Sequence, residues 1–431
     1  MKIIPRDQHC ISRKNISDGA LKVMSRLRGS GHQAYLVGGA VRDLLLGGHP
    51  KDFDIATDAT PETVHALFRN SRIIGRRFRI VHVRFGREII EVTTFRGHHD
   101  NDSEPTSESG GNHSRQSASG LLLRDNVYGT LEEDAVRRDL TVNALYYDAG
   151  NFEVFDHVHG LKDLERRSIS IIGEPAVRFT EDPVRMLRVL RFAAKLQFSI
   201  DTHTARAIPA CAHLLAEIPA ARLFDEFLKL FLAGSAAATL EQLQKHHLLR
   251  DLFPDSNEQM HRPPTALALV RAAMVSTDQR IAQDKPVTPA FILAALLWPE
   301  VQHQAQLLQE RGDPPIPAMH HASQQAIADA ARNIAIPRRF SQPMREIWEF
   351  QLRLQNRRGK KAAELVDHRR FRAAYDFLLL REQAGEETGD LGSWWTDFQQ
   401  LPMDQRLQQA ALESGPQGGR RSRGRRSSKK A

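Results

Sequence analysis

Residues 36–55 read LVGGAVRDLLLGGHPKDFDI: an apolar strand ending in a glycine pair, a short amphipathic helix, a second glycine pair, and then Asp52 and Asp54 around Phe53. In an extended chain side chains repeat every second residue, so both carboxylates are expected on one face of a strand over 53–56. Their Cα atoms would lie about 7 Å apart. Carboxylates at that separation can converge on one or two metal ions. Magnesium is the metal they suit, because a hard cation prefers oxygen ligands. Gly38 and Gly39 stand just upstream, where the missing side chains let a phosphate chain approach the backbone. An Asp-x-Asp pair alone also occurs as a solvated turn. The weight lies in its combination with the glycines.

Outward from this run the first half alternates strand and helix signals. A strand is expected over 35–37, a helix over 40–46, and a helix through 68 with Thr60 as N-cap and Pro61 at the first helical position. Residues 80–85 and 88–95 are β-rich runs joined at Gly86-Arg87, a hairpin signal. From 100 to 120 the chain turns polar, as a flexible insertion would. Helical periodicity follows over 131–146, then strands over 152–155 and 169–172, and after about Pro175 nearly everything reads as helix. The fold class expected is α+β: an N-terminal segment (1–30), a mixed head (31–165), a helical neck (166–235), a helical body (236–400) and a basic disordered tail (401–431).

The 431 residues carry a net charge of +8, but it is not spread evenly. The last twelve, RRSRGRRSSKKA, hold seven Lys/Arg and no acid, so nearly all the excess sits in an arm that cannot bury apolar area. Such an arm fits RNA phosphates; the alternative is a solubilising tail. No apolar run is long enough to span a bilayer, the longest being FILAALLW at 291–298, and residues 1–8 (MKIIPRDQ) lack a signal-peptide core. Two cysteines, Cys10 and Cys211, do not make a disulfide framework, so a reducing cytoplasm is expected.

Three further constellations carry chemistry. Arg137-Arg138-Asp139 lies on the helix expected after the insertion, and Asn143, four residues on, would share its face. The arginines could meet phosphates, with Asp139 or Asn143 near a ribose or the metal; a solvent-facing charged turn is the alternative. Residues 181–196, EDPVRMLRVLRFAAKL, form an expected helix capped by Asp182, with Arg185, Arg188, Arg191 and Lys195 as one basic stripe. A carboxylate and a guanidinium one turn apart can read the hydrogen-bonding edge of a base. An intrahelical ion pair is the alternative. Residues 338–372 hold eleven Lys/Arg with Trp348, Phe350, Phe371 and Tyr375 interleaved. The charge is assigned to RNA and the rings to packing.

With these residues in place the chain resembles the poly(A) polymerase branch of the tRNA nucleotidyltransferase/poly(A) polymerase family, within the polymerase β superfamily. The motifs that carry the resemblance are Gly38-Gly39 with Arg42-Asp43 and Asp52-Phe53-Asp54, Arg137-Arg138-Asp139 with Asn143, Gly160 to Leu164 (GLKDL), Glu181-Asp182-Pro183-Val184-Arg185, and Ala221-Arg222-Leu223 with Glu226. The resemblance implies a polymerase-β-like head before an all-α neck and body, with Asp52 and Asp54 as metal ligands and catalytic residues and Asp139 as a further active-site acid. It implies nucleotide contacts from Gly38, Gly39, Arg42, Arg138, Asn143, Asp182, Arg185 and Arg188. Mg²⁺, with Mn²⁺ as a substitute, ATP as substrate and RNA 3′ ends as partner go with it. Glu91 is the candidate third carboxylate from periodicity, or a structural strand acid. The residues 75–79 (GRRFR), the entry Ile4-Pro5-Arg6 with Ile11 to Lys14, and the basic tail look like poly(A) polymerases; a CCA-adding tRNA nucleotidyltransferase, which shares the other motifs, is the alternative. A non-catalytic RNA-binding protein with this fold is the alternative of a different class.

Overall fold

The computed structural model describes residues 1–75, 79–97, 115–116, 122–124 and 127–413. They fall into two compact units, 1–219 with 241–251, and 220–240 with the residues from 252 on.

The first unit is built on an eight-stranded sheet with the spatial order Lys2–Ile4, Glu153–Asp156, Leu145–Asp148, Ala34–Val37, Asp54–Thr57, Glu88–Thr94, Ile80–Phe85, Ser71–Ile74. Within this sheet, among the described residues, only Asp54–Thr57 and Glu88–Thr94 run parallel. A parallel pair needs a crossover, and helix Pro61–Leu67 lies within it. Thr60 opens that helix as expected, its hydroxyl accepting from Thr63 N at 3.2 Å, with Pro61 at the first position. The expected hairpin also forms, turning at Gly86 with φ +61°. Val37, Ala56, Phe95, Ala135 and Tyr146 make a buried cluster that joins the sheet to helix Leu131–Arg137.

Several boundaries differ from the sequence reading, each for a local reason. The carboxylate strand begins at Asp54, so Asp52 lies in the approach to it. Its ladder partner runs out at Val37, opposite Asp54, because Gly38 turns the chain away. The helix expected over 131–146 stops at Arg137; Arg138 is extended, Thr141–Asn143 is a single 3-10 turn, and Leu145–Asp148 joins the sheet. Leu145, Tyr146 and Tyr147 are fully buried there, and aromatic residues suit a pleated surface. Asp139 and Asn143 therefore share no helix face. The helix expected over 181–196 is two: Pro175–Glu181 and Val184–Leu196, separated at Asp182 with φ −152° and ψ 93°. Pro183 disfavours helical backbone in the residue before it, which imposes the break.

Within 100–120 the chain is not wholly irregular, since Arg115–Gln116 pairs antiparallel with Leu122–Arg124. The rest of that insertion lies outside the described residues, as do 76–78 and the tail from 414. Within the span expected as tail, Met403–Leu412 is a helix that buries Ala410 and Arg406, the latter donating to Ala363 O at 3.1 Å.

The described residues of the second unit are helical throughout, from Ala220–Phe231 to Met403–Leu412. Phe350, Leu354, Phe371, Tyr375, Trp394, Trp395 and Phe398 form a core cluster in it. Trp348 is fully buried and donates its indole N–H to Ala294 O at 3.0 Å. The interleaved aromatics are packing, as expected. No helix among the described residues is long and apolar enough to cross a membrane.

Candidate active site

Gly38 takes φ 74° and ψ −137°, a conformation that a Cβ would strain. It turns strand Ala34–Val37 directly into helix Gly39–Leu45. The turn gathers residues far apart in sequence. A Cβ placed on Gly38 would lie 3.8 Å from Asp54 Oδ2 and 4.0 Å from both Arg138 Nη1 and Asn143 O. Across the parallel pair Asp54 is in register with Glu91, whose Oε1 meets His82 Nε2 at 3.1 Å. Burial and the Glu91 carboxylate push the Asp54 carboxyl up to about 6, Arg138 only partly opposing them and Asp52 adding to them.

Among the described residues no three His, Cys, Asp or Glu side chains already converge as a metal cage. The donor set nevertheless suits a hard divalent cation. Its oxygens are hard, and Mg²⁺ is commonly held by one or two carboxylates with phosphates and water completing the shell. The raised Asp54 carboxyl marks negative charge that a cation would relieve.

Arg42 is not directed at open space. It is buried, with Nη1 donating to Asn143 Oδ1 at 2.5 Å and Nε to Asp43 Oδ1 at 2.8 Å. Asn143 is buried with it. Arg138 is fixed differently: Nε donates to Tyr146 Oη at 2.8 Å and Nη2 to Asp134 Oδ2 at 3.0 Å, while Tyr146 Oη donates to the same Asp134 oxygen at 2.6 Å. Burial works against the Arg138 charge, but Tyr146 and Asp134 outweigh it and hold the guanidinium more firmly protonated than usual. Its Nη1 is the nitrogen beside Gly38.

Asp139 lies on the extended turn after the helix. Its Oδ1 accepts from Leu140 N at 2.8 Å and its Oδ2 from Arg188 Nε at 2.5 Å. Burial pushes this carboxyl up, but the Arg188 guanidinium and the Leu140 amide overcome burial and hold it at about 2. Asp182 Oδ1 accepts from Val184 N at 3.3 Å, but Pro183 holds the N-cap position of helix Val184–Leu196 and Asp182 ends the helix before it, so the expected cap by Asp182 does not form. Arg185 Nη1 is bound to Glu181 Oε2 at 2.6 Å and to Arg178 O at 2.9 Å.

Two residues absent from the sequence reading's site organise this side. Arg178 Nη1 donates to Glu181 Oε2 at 2.8 Å, and its Nη2 to Arg137 O at 2.6 Å and Arg138 O at 2.8 Å. It thus caps the carbonyl end of helix Leu131–Arg137 and clamps the turn that carries Asp139. Glu181 joins Arg178 to Arg185. The i,i+3 spacing of Arg178 and Glu181 on one helix is the signal that points to them. Burial and neighbouring guanidinia push Arg178, beside Arg185, and Arg137, beside Arg96, each down to about 10. A crowd of cations held against a few acids makes a positive field suited to a polyanion.

Three family models match the chain: the poly A polymerase head domain over 34–170, the probable RNA and SrmB-binding site of polymerase A over 197–260, and the polymerase A arginine-rich C-terminus over 311–430. The chain is 48% identical to poly(A) polymerase I of Salmonella typhimurium over 427 residues, covering 98% of this chain and 91% of the relative. A CCA-adding enzyme of Bacillus pumilus is 42% identical over 211 residues, 49% of each chain. Among solved structures, the Bacillus stearothermophilus CCA-adding enzyme in complex with CTP is similar with a TM-score of 0.56 at 26% identity, over 90% of this chain and 82% of that one. The chain belongs to the family of bacterial poly(A) polymerases and is a nucleotidyltransferase, with CCA-adding enzymes as more distant relatives.

Proposed function

We propose that the chain extends RNA 3′ ends, without a template, with AMP taken from ATP, using Asp52 and Asp54 as its catalytic carboxylates. The observation that carries the reading is the 48% identity to poly(A) polymerase I over 98% of the chain, with Asp54 set beside the Gly38 turn, Glu91 and Arg138 Nη1. A magnesium ion on Asp52 and Asp54, or manganese in its place, would supply charge against the triphosphate and lower the pKa of the attacking hydroxyl. Glu91 is the third carboxylate of the set.

The chain's own groups bind and orient. Gly38 and Gly39 leave room for the triphosphate along the backbone, and Arg138 Nη1 is placed to meet a phosphate oxygen. Arg42 positions Asn143 from beneath, and Asp139 fixes Arg188 at the edge of the site. Asp182 and Arg185 read the adenine edge, one accepting from the exocyclic amine and the other donating to a ring nitrogen. The RNA 3′-oxygen attacks the α-phosphorus and the bond to the leaving pyrophosphate breaks. Upstream RNA is held by backbone charge, from exposed residues such as Arg338, Arg339, Arg353 and Arg369 and from the tail cations Arg420 to Lys430. Work on mRNA ends in the cytoplasm fits this reading.

The test offers a generic RNA, and a tRNA lacking its end, with each nucleotide in turn. Long adenylate ladders from ATP, dependent on magnesium, are expected. Two cytidines and one adenosine followed by a stop would replace the reading with CCA addition. No incorporation at all would leave an RNA-binding protein.

A further inference from the structure

Phe192 lies on helix Val184–Leu196, half-buried, and three guanidinia converge on its ring: Arg42 at 5.2 Å from the centroid, Arg188 at 5.6 Å and Arg191 at 4.7 Å. All lie within the range where the negative face of an aromatic ring attracts a cation. Arg191 is the adjacent residue, so its contact is local. Arg188 is a helical neighbour four residues back, and only the Arg42 contact is long-range. Arg42 comes from the helix after the glycine turn.

The same two guanidinia hold the two polar residues of the catalytic turn. Arg42 donates to Asn143 Oδ1 and Arg188 to Asp139 Oδ2, each at 2.5 Å. A hydrogen bond fixes one edge of a guanidinium, and a ring against the ion fixes it a second time. One side chain thus supports both anchors of the turn that follows helix Leu131–Arg137. An aliphatic residue of similar volume would fill the place but present no negative face.

We infer that Phe192 is a positioning residue for nucleotide transfer: its ring holds Arg42 and Arg188 so that Asn143 and Asp139 keep one arrangement around the nucleotide. The inference rests on the proposed reading of that site. It assigns Phe192 a part in the reaction without contact with the reacting atoms.

The experiment uses the full-length chain. F192L keeps most of the volume and removes the ring face, while F192Y keeps the face. Replacing Phe192 by mono-, di- and trifluorophenylalanine drains the negative face at nearly constant shape. For ATP, kcat/KM is expected to fall about tenfold in F192L, the scale of one or two cation–π contacts. Most of it should return in F192Y, and it should decline stepwise along the fluorinated series with the melting temperature unchanged. A flat fluorinated series overturns the inference, as does F192Y performing no better than F192L. Running D52N beside them separates the two levels. Normal turnover by D52N removes the catalytic reading, and the positioning role with it. An inactive D52N with wild-type behaviour across the fluorinated series removes the role of Phe192 alone.

Discussion

Asp54 stands on a strand with Glu91 in register beside it, whereas Asp139, on the extended turn after helix Leu131–Arg137, ends on the Arg188 guanidinium and the Leu140 amide. Both carboxyls are buried by the same unit, and burial raises both. Yet the first is pushed up to about 6 and the second held at about 2. The difference lies in the partners and not in the depth. Charge that the fold leaves uncompensated marks the place where a ligand completes the electrostatics; charge the fold has already balanced marks the frame. Carboxyls with perturbed titration gather at functional sites, and the catalytic role proposed for Asp54 follows that rule.

The largest expected effect breaks the comparison at Asp54. D54N should fold and lose about a thousandfold or more in AMP incorporation, the scale of removing a metal-binding carboxylate from phosphoryl chemistry. Incorporation within tenfold of wild type would show that Asp54 is no more than a buried strand acid. D139N should lose less activity, because its part is to hold Arg188.

Stability should move in opposite directions for the two acids. The folded value of Asp139 lies below the ordinary carboxylate value of 3.8, so its contribution is present above about pH 4 and is lost as pH falls toward 2. D139N should therefore destabilise by roughly 2 kcal/mol at pH 7, also leaving Arg188 short of a partner. The folded value of Asp54 lies above 3.8, so its contribution is present at low pH and is lost as pH rises through about 6. D54N should stabilise by roughly 2 kcal/mol at pH 7.5, and the gain should shrink as pH falls toward 4. Urea midpoints at both pH values check this. A destabilised D54N would mean that the fold compensates Asp54 after all.

How much of this is legible in the sequence follows from how local each cause is. Gly38 before Gly39, the Thr60-Pro61 cap and the turn at Gly86 are determined by the residues themselves, and each stands where the sequence predicts it. The Arg137 to Asn143 stretch does not. Its helical period competes with sheet pairing at Leu145–Asp148, and the outcome depends on Arg178, about forty residues on, taking the Arg137 and Arg138 carbonyls. Arg42 resembles a phosphate ligand because of its place after the glycines; its burial against Asn143 comes from a residue 101 positions away. Pro183 opens a helix, as its position predicts, but its restraint on Asp182 also ends the helix before. Phe192 carries no signal, since a ring on an amphipathic helix is ordinarily core.

The smallest expected effect extends the contrast to the second unit. Arg369 pairs with Glu346 and Arg372 with Asp376, but both arginines are about 70% exposed, where Arg188 is 32% exposed. An exposed pair in water contributes under about 1 kcal/mol, because solvent screens it and two long side chains must be ordered to make it. Such arginines can exchange a carboxylate for an RNA phosphate at little cost. The double variant R369A/R372A should shift the melting temperature by no more than a degree or two. It should lower the slope of log affinity for RNA against log salt by about two, one for each phosphate that is no longer neutralised. An unchanged slope would place the RNA elsewhere on the chain. A large drop in melting temperature would mean that these pairs, like Asp139 with Arg188, belong to the frame.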